Sequence, residues 1–205
     1  SMNAIWEKDI RRMIAFSSVA QIGYIYLGFG FGTEIGMIAS LFHMLMHSAT
    51  KSMLFISAIG LTDASGYKRD FFEVTGAGYR NKIAGAGFLV GSFSMVGIPM
   101  FAGFVSKLLF AQTAIEDASW KMFPAIIVLS ISTILNAVYF LKTVLRIYTP
   151  MPKEIEKEKG YVHITWKQQK VYTVAIILYI AFNVILGCNS QPILMLIEEG
   201  LRNFM

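Results

Sequence analysis

A chain of 205 residues in which 55% are hydrophobic and only 15% charged lacks the composition of a soluble domain, where about a quarter of residues carry charge. The net charge of +5 is no signature of nucleic-acid binding, because the basic residues stand between apolar runs, where membrane orientation explains them. A single cysteine, Cys188, excludes an internal disulfide, a cysteine-ligated cluster and a structural zinc site of the usual kind.

Taken in order, five apolar segments are long enough to cross a bilayer, for which about 20 residues suffice. Ser1 is not an initiator and no signal pattern precedes the first segment, which suggests a processed product or a fragment. Met13–Phe31 is uncharged, with Ser17, Ser18 and Gln21 suited to helix–helix hydrogen bonds. The glycine runs Gly28–Gly32 and Gly85–Gly91 have no preceding strand, so they are expected to permit close helix packing rather than to hold a nucleotide.

Ile35–Gly60 follows, and His43, His47 and Lys51 are its only ionisable residues. A step of four residues turns an α-helix by about 40° and rises about 6 Å, so the three form a slanted ladder on one face. Ionisable groups inside a membrane are costly and ordinarily face a protein interior or a wet path. Imidazole and a desolvated amine can both exchange protons near neutrality, so a proton relay is the leading expectation. The bland alternative is helix–helix glue. Two histidines four apart also resemble half a metal site, but no further ligand stands on this helix, and no metal is expected.

Ile83–Ile115 is interrupted only by Lys107. As one helix it would measure about 50 Å, against a hydrocarbon core of about 30 Å. A single crossing places Lys8, Arg11, Arg12, Lys68, Arg69, Arg80, Lys82, Lys142, Arg146 and the lysines of 153–170 on one side, leaving Lys121 and Arg202 on the other. The positive-inside rule favours that arrangement. A single crossing needs a break, and GIPMFAGF (Gly97–Phe104) supplies one. Pro99 lacks an amide proton, while Gly97 and Gly103 loosen the turns beside it. Lys107 follows the break and is placed with the ladder, with snorkelling to the interface as its alternative.

Met122–Leu141 is uncharged, a charged linker occupies 151–170, and Val171–Gly187 is the last crossing. Ile193, Leu194, Ile197, Leu201 and Phe204 recur at helical spacing in the tail, which predicts an amphipathic helix on the surface or against a partner. The expected fold is thus all-α: a polytopic membrane helix bundle of five transmembrane segments, one of them broken over 83–115, with a C-terminal amphipathic helix.

Three stretches, Asp9–Tyr24 (DIRRMIAFSSVAQIGY), Phe42–Phe55 (FHMLMHSATKSMLF) and Gly97–Phe110 (GIPMFAGFVSKLLF), appear in this order at fitting spacing. Together they resemble the second half of the antiporter-like, proton-conducting subunits shared by Mrp-type sodium/proton antiporters, respiratory complex I (NADH-quinone oxidoreductase) and membrane-bound hydrogenases. The likeness runs from Asp9 to about Tyr148, and Gln191–Leu201 resembles family C-termini more loosely. It implies that Lys51 is a central channel lysine flanked by His43 and His47, and that Lys107 is the lysine of the broken helix at the outlet. Arg11 stands where the family usually has lysine. The family is built of two inverted repeats. The chain corresponds to the second, less its first helix, so the glutamate–lysine pair of the first is absent and a split subunit or a fragment is expected.

On this reading residues 1–150 are the second-repeat portion of a proton-conducting domain, 151–170 the linker, and 171–205 the last crossing and tail. The expected function is proton translocation within a multisubunit antiporter. A redox-driven pump is the first alternative and a non-conducting scaffold the second. Expected partners are other membrane subunits, protons and Na+, and the lipid bilayer, with no nucleic acid. No cofactor-binding motif for NADH, quinone or iron–sulfur clusters is visible. The inner (plasma) membrane of a prokaryote is the expected location, ahead of the mitochondrial inner membrane.

Overall fold

The computed structural model describes residues 1–117, 120 and 122–203; Lys121 and Phe204, used above, lie outside them. The chain forms helices α1 (Met2–Trp6), α2 (Ile10–Phe31), α3 (Glu34–Asp63), α4 (Ala77–Arg80) and α5 (Lys82–Val96). These are followed by α6 (Ala102–Asp117), α7 (Met122–Ile147), α8 (Lys153–Glu158), α9 (Lys170–Cys188) and α10 (Gln191–Arg202). Four of them, α2, α3, α7 and α9, are long and apolar enough to cross a membrane, and α5 is a shorter apolar helix.

Helix boundaries follow from local chemistry. The Asp9 side chain accepts the amides of Arg11 (2.7 Å) and Arg12 (3.2 Å) and so starts α2. Gly32 ends it at φ 69°, and Thr33 immediately caps α3 by accepting the Gly36 amide at 3.1 Å. Asn81 starts α5 by accepting the Ala84 amide at 3.1 Å, and its own amide group donates to the Gly60 carbonyl at the end of α3.

Lipid is as apolar as leucine, so packing and hydrogen bonds must hold such helices together. Small residues serve that purpose. A Cβ on Gly28 would lie 2.8 Å from the Gly36 carbonyl oxygen, and one on Gly87 or Gly91 would lie 2.8 Å from Ile176 or Leu54. At Gly30 it would meet no heavy atom within 4 Å, so the first glycine run packs at only part of its length. The main apolar core lies among α2, α3, α5 and α7, where Ile10, Ile14, Leu54, Phe88 and Phe140 are fully buried.

One end of the bundle is stitched by backbone hydrogen bonds between separate segments. Ile10 donates to Arg69 (3.1 Å), Phe71 to Lys8 (3.0 Å) and Gly76 to Arg146 (3.2 Å). Val162 donates to Ala64 (3.2 Å) and Ile164 to Arg80 (2.8 Å). The basic segments therefore share one end, as the charge distribution predicts, and α5 and α6 together make one crossing.

The expected linker at 151–170 is a docked strap. Arg80, whose side chain is fully buried, donates to Glu156 at 2.9 Å. Glu73 accepts from Lys159 at 3.0 Å on both oxygens and from the Tyr161 hydroxyl. At the opposite end α10 is amphipathic as expected. Its Ile193, Leu194 and Ile197 pack on Phe42, Met46, Ala102 and Leu186 of the same chain.

Candidate functional site

The helical step sets the three ladder residues of α3 one above another. His43 is fully buried, Lys51 is 6% exposed, and His47 is half-buried. The two imidazoles lie face to face, with centroids 6.0 Å apart and planes within 8°. The three part company at their polar atoms. The His43 Nδ1 is hydrogen-bonded to the Ser106 hydroxyl on α6. Lys51 turns the other way, donating to the Ile14 carbonyl at 2.8 Å and to the Ser17 hydroxyl, both on α2. Its ammonium also stands 5.8 Å from the centroid of Phe140 on α7.

The break is built from its own sequence. Gly97 adopts φ 89°, its amide bonding Phe93 and Ser94 while the Ile98 amide bonds Phe93, an arrangement that ends α5. Lys107 answers the last carbonyl of α5: its Nζ donates to Val96 at 2.6 Å. A cation at the carbonyl end of a helix also meets the negative end of the helix dipole. Lys107 thus joins the two halves of the crossing and lines a cleft of about 450 Å³ between α6 and α7.

Helix resumes at Ala102, so Gly103 lies inside α6 rather than in a loosened turn. Its value is contact: a Cβ there would overlap the Ser94 carbonyl oxygen. The Gly103 amide donates to the Ser94 hydroxyl at 3.2 Å. Pro99 sits between the two helices, followed by Met100 at φ 79°.

Among the described residues no hydrogen bond joins Lys107 to the ladder; its neighbour Ser106 makes that link, to His43. The structure brings in residues that spacing did not single out. On α7 the Tyr139 hydroxyl donates to the Asn136 side-chain oxygen, and the Asn136 amide donates to the Tyr24 hydroxyl at 3.4 Å. The Tyr24 ring meets His43 edge-on, with centroids 5.7 Å apart. Asn183 on α9 donates to Thr50 at 2.7 Å and accepts the Ala102 amide at 3.4 Å, tying α3 to the start of α6. Ser17, suited to a helix–helix hydrogen bond, makes one with Lys51. The Nε2 atoms of His43 and His47 and both amide atoms of Gln21 are buried without a partner among the described residues. Such groups are ordinarily completed by ordered water.

Four helices long and apolar enough to cross a membrane, packed around the interrupted pair α5–α6, make a polytopic membrane helix bundle. The chain belongs to the family described as NADH:quinone oxidoreductase/Mrp antiporter, transmembrane, which matches residues 1–135. It is 34% identical over 148 residues to NADH-quinone oxidoreductase subunit N of Desulforudis audaxviator, covering 72% of this chain and 29% of that protein. With subunit N of Desulforamulus reducens it shares 26% identity over 98% of its length and 40% of the relative's. Its fold matches a chain of the Mrp complex from Dietzia sp. DQ12-45-1b, with a TM-score of 0.82 at 22% identity over 96% of this chain and 43% of the other. The chain therefore spans less than half the length of each of these relatives.

Proposed function

We propose that this chain translocates protons as a membrane subunit of a multisubunit cation/proton antiporter, through His43, His47, Lys51 and Lys107. The observation that carries the proposal is the ladder on α3, with the Nε2 atoms of His43 and His47 buried without a hydrogen-bond partner among the described residues and an ammonium held by the neighbouring helix. His43 and His47 exchange protons with Lys51, and Lys107 controls release where α5 ends. Gly97, Pro99 and Gly103 shape that outlet. Residues 1–150 form the conducting portion, 151–170 brace it, and 171–205 close the bundle. The other subunits, protons and Na+ are its partners, in the plasma membrane of a prokaryote.

The test is proton flux in proteoliposomes containing the chain with its partner subunits. Lys51→Ala abolishes the flux while the complex still assembles. Unchanged flux in that variant would reduce the ladder to a scaffold.

A second reading, a redox-driven proton pump, is favoured by the 34% identity to a subunit of an NADH-quinone oxidoreductase. The neighbours decide between the two. Iron–sulfur or flavin subunits found with the chain by native mass spectrometry would assign it to the pump.

A further inference from the structure

At the stitched end a cavity of about 420 Å³ opens between α1, α7 and the pairing of residues 9 and 70. This is where α2 begins and α7 ends, the boundary between the apolar span and the polar surface. Three cations line the cavity: Lys8, Lys142 and Arg146. The last two are four residues apart and share a face of α7. None of the three is in an ion pair among the described residues.

Neither of the two carboxylates that share the lining pairs with these three cations. Glu7 pairs with Arg12 at 3.2 Å and accepts the amides of Lys8 and Asp9. Asp70 accepts the Phe72 amide at 2.8 Å. The remaining wall is largely apolar, with Ile5, Trp6, Met13 and Phe71, and the Arg146 guanidinium lies 5.7 Å from the Phe71 centroid. Trp6 is 83% exposed, at the level where indole rings favour the interface.

Three cations without an ion-pair partner among the described residues, beside an apolar wall at the edge of a membrane span, complement a molecule with an anionic head and a hydrocarbon body. We propose that this cavity binds the phosphate group of an anionic phospholipid from the leaflet on the basic side. Arg146 offers the planar fork that suits phosphate oxygens, and Lys8 and Lys142 add point charges. Ile5, Trp6 and Phe71 lie against the glycerol and upper acyl carbons. Basic pockets between transmembrane helices take anionic headgroups in this manner. The inference is independent of the proton path.

Trp6 is a built-in reporter, since Trp120 and Trp166 are the only other tryptophans. The chain carrying Trp120→Phe and Trp166→Phe is reconstituted in phosphatidylcholine vesicles containing a fixed fraction of brominated phosphatidylglycerol or of brominated phosphatidylcholine. Trp6 fluorescence is quenched at least twofold more by the anionic lipid. Lys142→Gln with Arg146→Gln removes that preference, and Arg146→Lys, which keeps the charge but loses the fork, retains part of it. Equal quenching by the two lipids, or a preference that survives the double substitution, overturns the proposal. Loss of the preference on adding millimolar inorganic phosphate at constant ionic strength assigns the site to free phosphate and overturns the lipid assignment.

Discussion

Ser106 shows how much a single hydroxyl can decide. It is fully buried, and it is the partner of the equally buried His43 Nδ1. Ser106→Ala leaves that nitrogen unsatisfied, at a cost of about 1–3 kcal/mol for a buried polar group. Unfolding in detergent should shift accordingly, Ser106→Thr should restore most of the stability, and proton flux should fall with the alanine variant. Residues of this kind were the hardest to find by sequence. His43, His47 and Lys51 stood out because charge is rare in an apolar run and their spacing matches a helix. Asn136 and Tyr139 lie in a run that reads as uncharged and apolar, so nothing in it separates them from packing residues. The direction of Lys51, toward α2 rather than along its own ladder, depends on which helix packs beside α3, and no local pattern encodes that.

At the scale of the element, the broken crossing was legible because Gly97 and Pro99 leave few alternatives to ending a helix there. The resumption at Ala102 was less so, since Gly103 looks like a second loosening residue and instead permits contact. Gly103→Ala drives a methyl into the Ser94 carbonyl. The expected result is a loss of about 1–3 kcal/mol, the usual cost of overpacking, with reduced flux as the start of α6 shifts. Gly23 in α2 provides the comparison. No heavy atom lies within 4 Å of a Cβ placed there, so Gly23→Ala should be neutral or slightly stabilising by helix propensity. Parallel thermal unfolding of the two variants checks both outcomes. A destabilised Gly23→Ala beside an unaffected Gly103→Ala would contradict the packing described.

For the whole molecule, the charged stretch 151–170 is a clamp whose strength depends on pH. The Tyr161 hydroxyl, foremost, and then Lys159 hold the Glu73 carboxyl down to about 2 from its ordinary 4.5. Burial, and then the Glu73 carboxylate, push the Tyr161 phenol up. A depressed carboxyl stabilises the folded form above its unfolded pKa and loses that contribution as pH falls through the folded value. The clamp is therefore fully formed at pH 7 and at pH 5.5, and it weakens as pH drops from 4.5 toward 2. The protection factors of the Val162 and Ile164 amides, with the intrinsic pH dependence of exchange divided out, should be flat over the first interval and fall in the second. Glu73→Gln should lower them already at pH 7. Sequence revealed the charges of this stretch but not their pairing, because Glu73 and Lys159 meet only once the intervening helices have folded.

The backbone bonds that gather residues 8–10, 64–80, 146 and 162–164 have no counterpart among the described residues at the opposite end. There the α2–α3 and α9–α10 connections are short local turns, and among the described residues the helices meet through side chains. For helices fastened at one margin, as in a hand fan, a given tilt opens a separation that grows with distance from that margin. Ser106 and Lys107 lie beyond mid-depth on the loose side, so any such splaying widens the cleft beside Lys107 while Lys8, Lys142 and Arg146 stay in register.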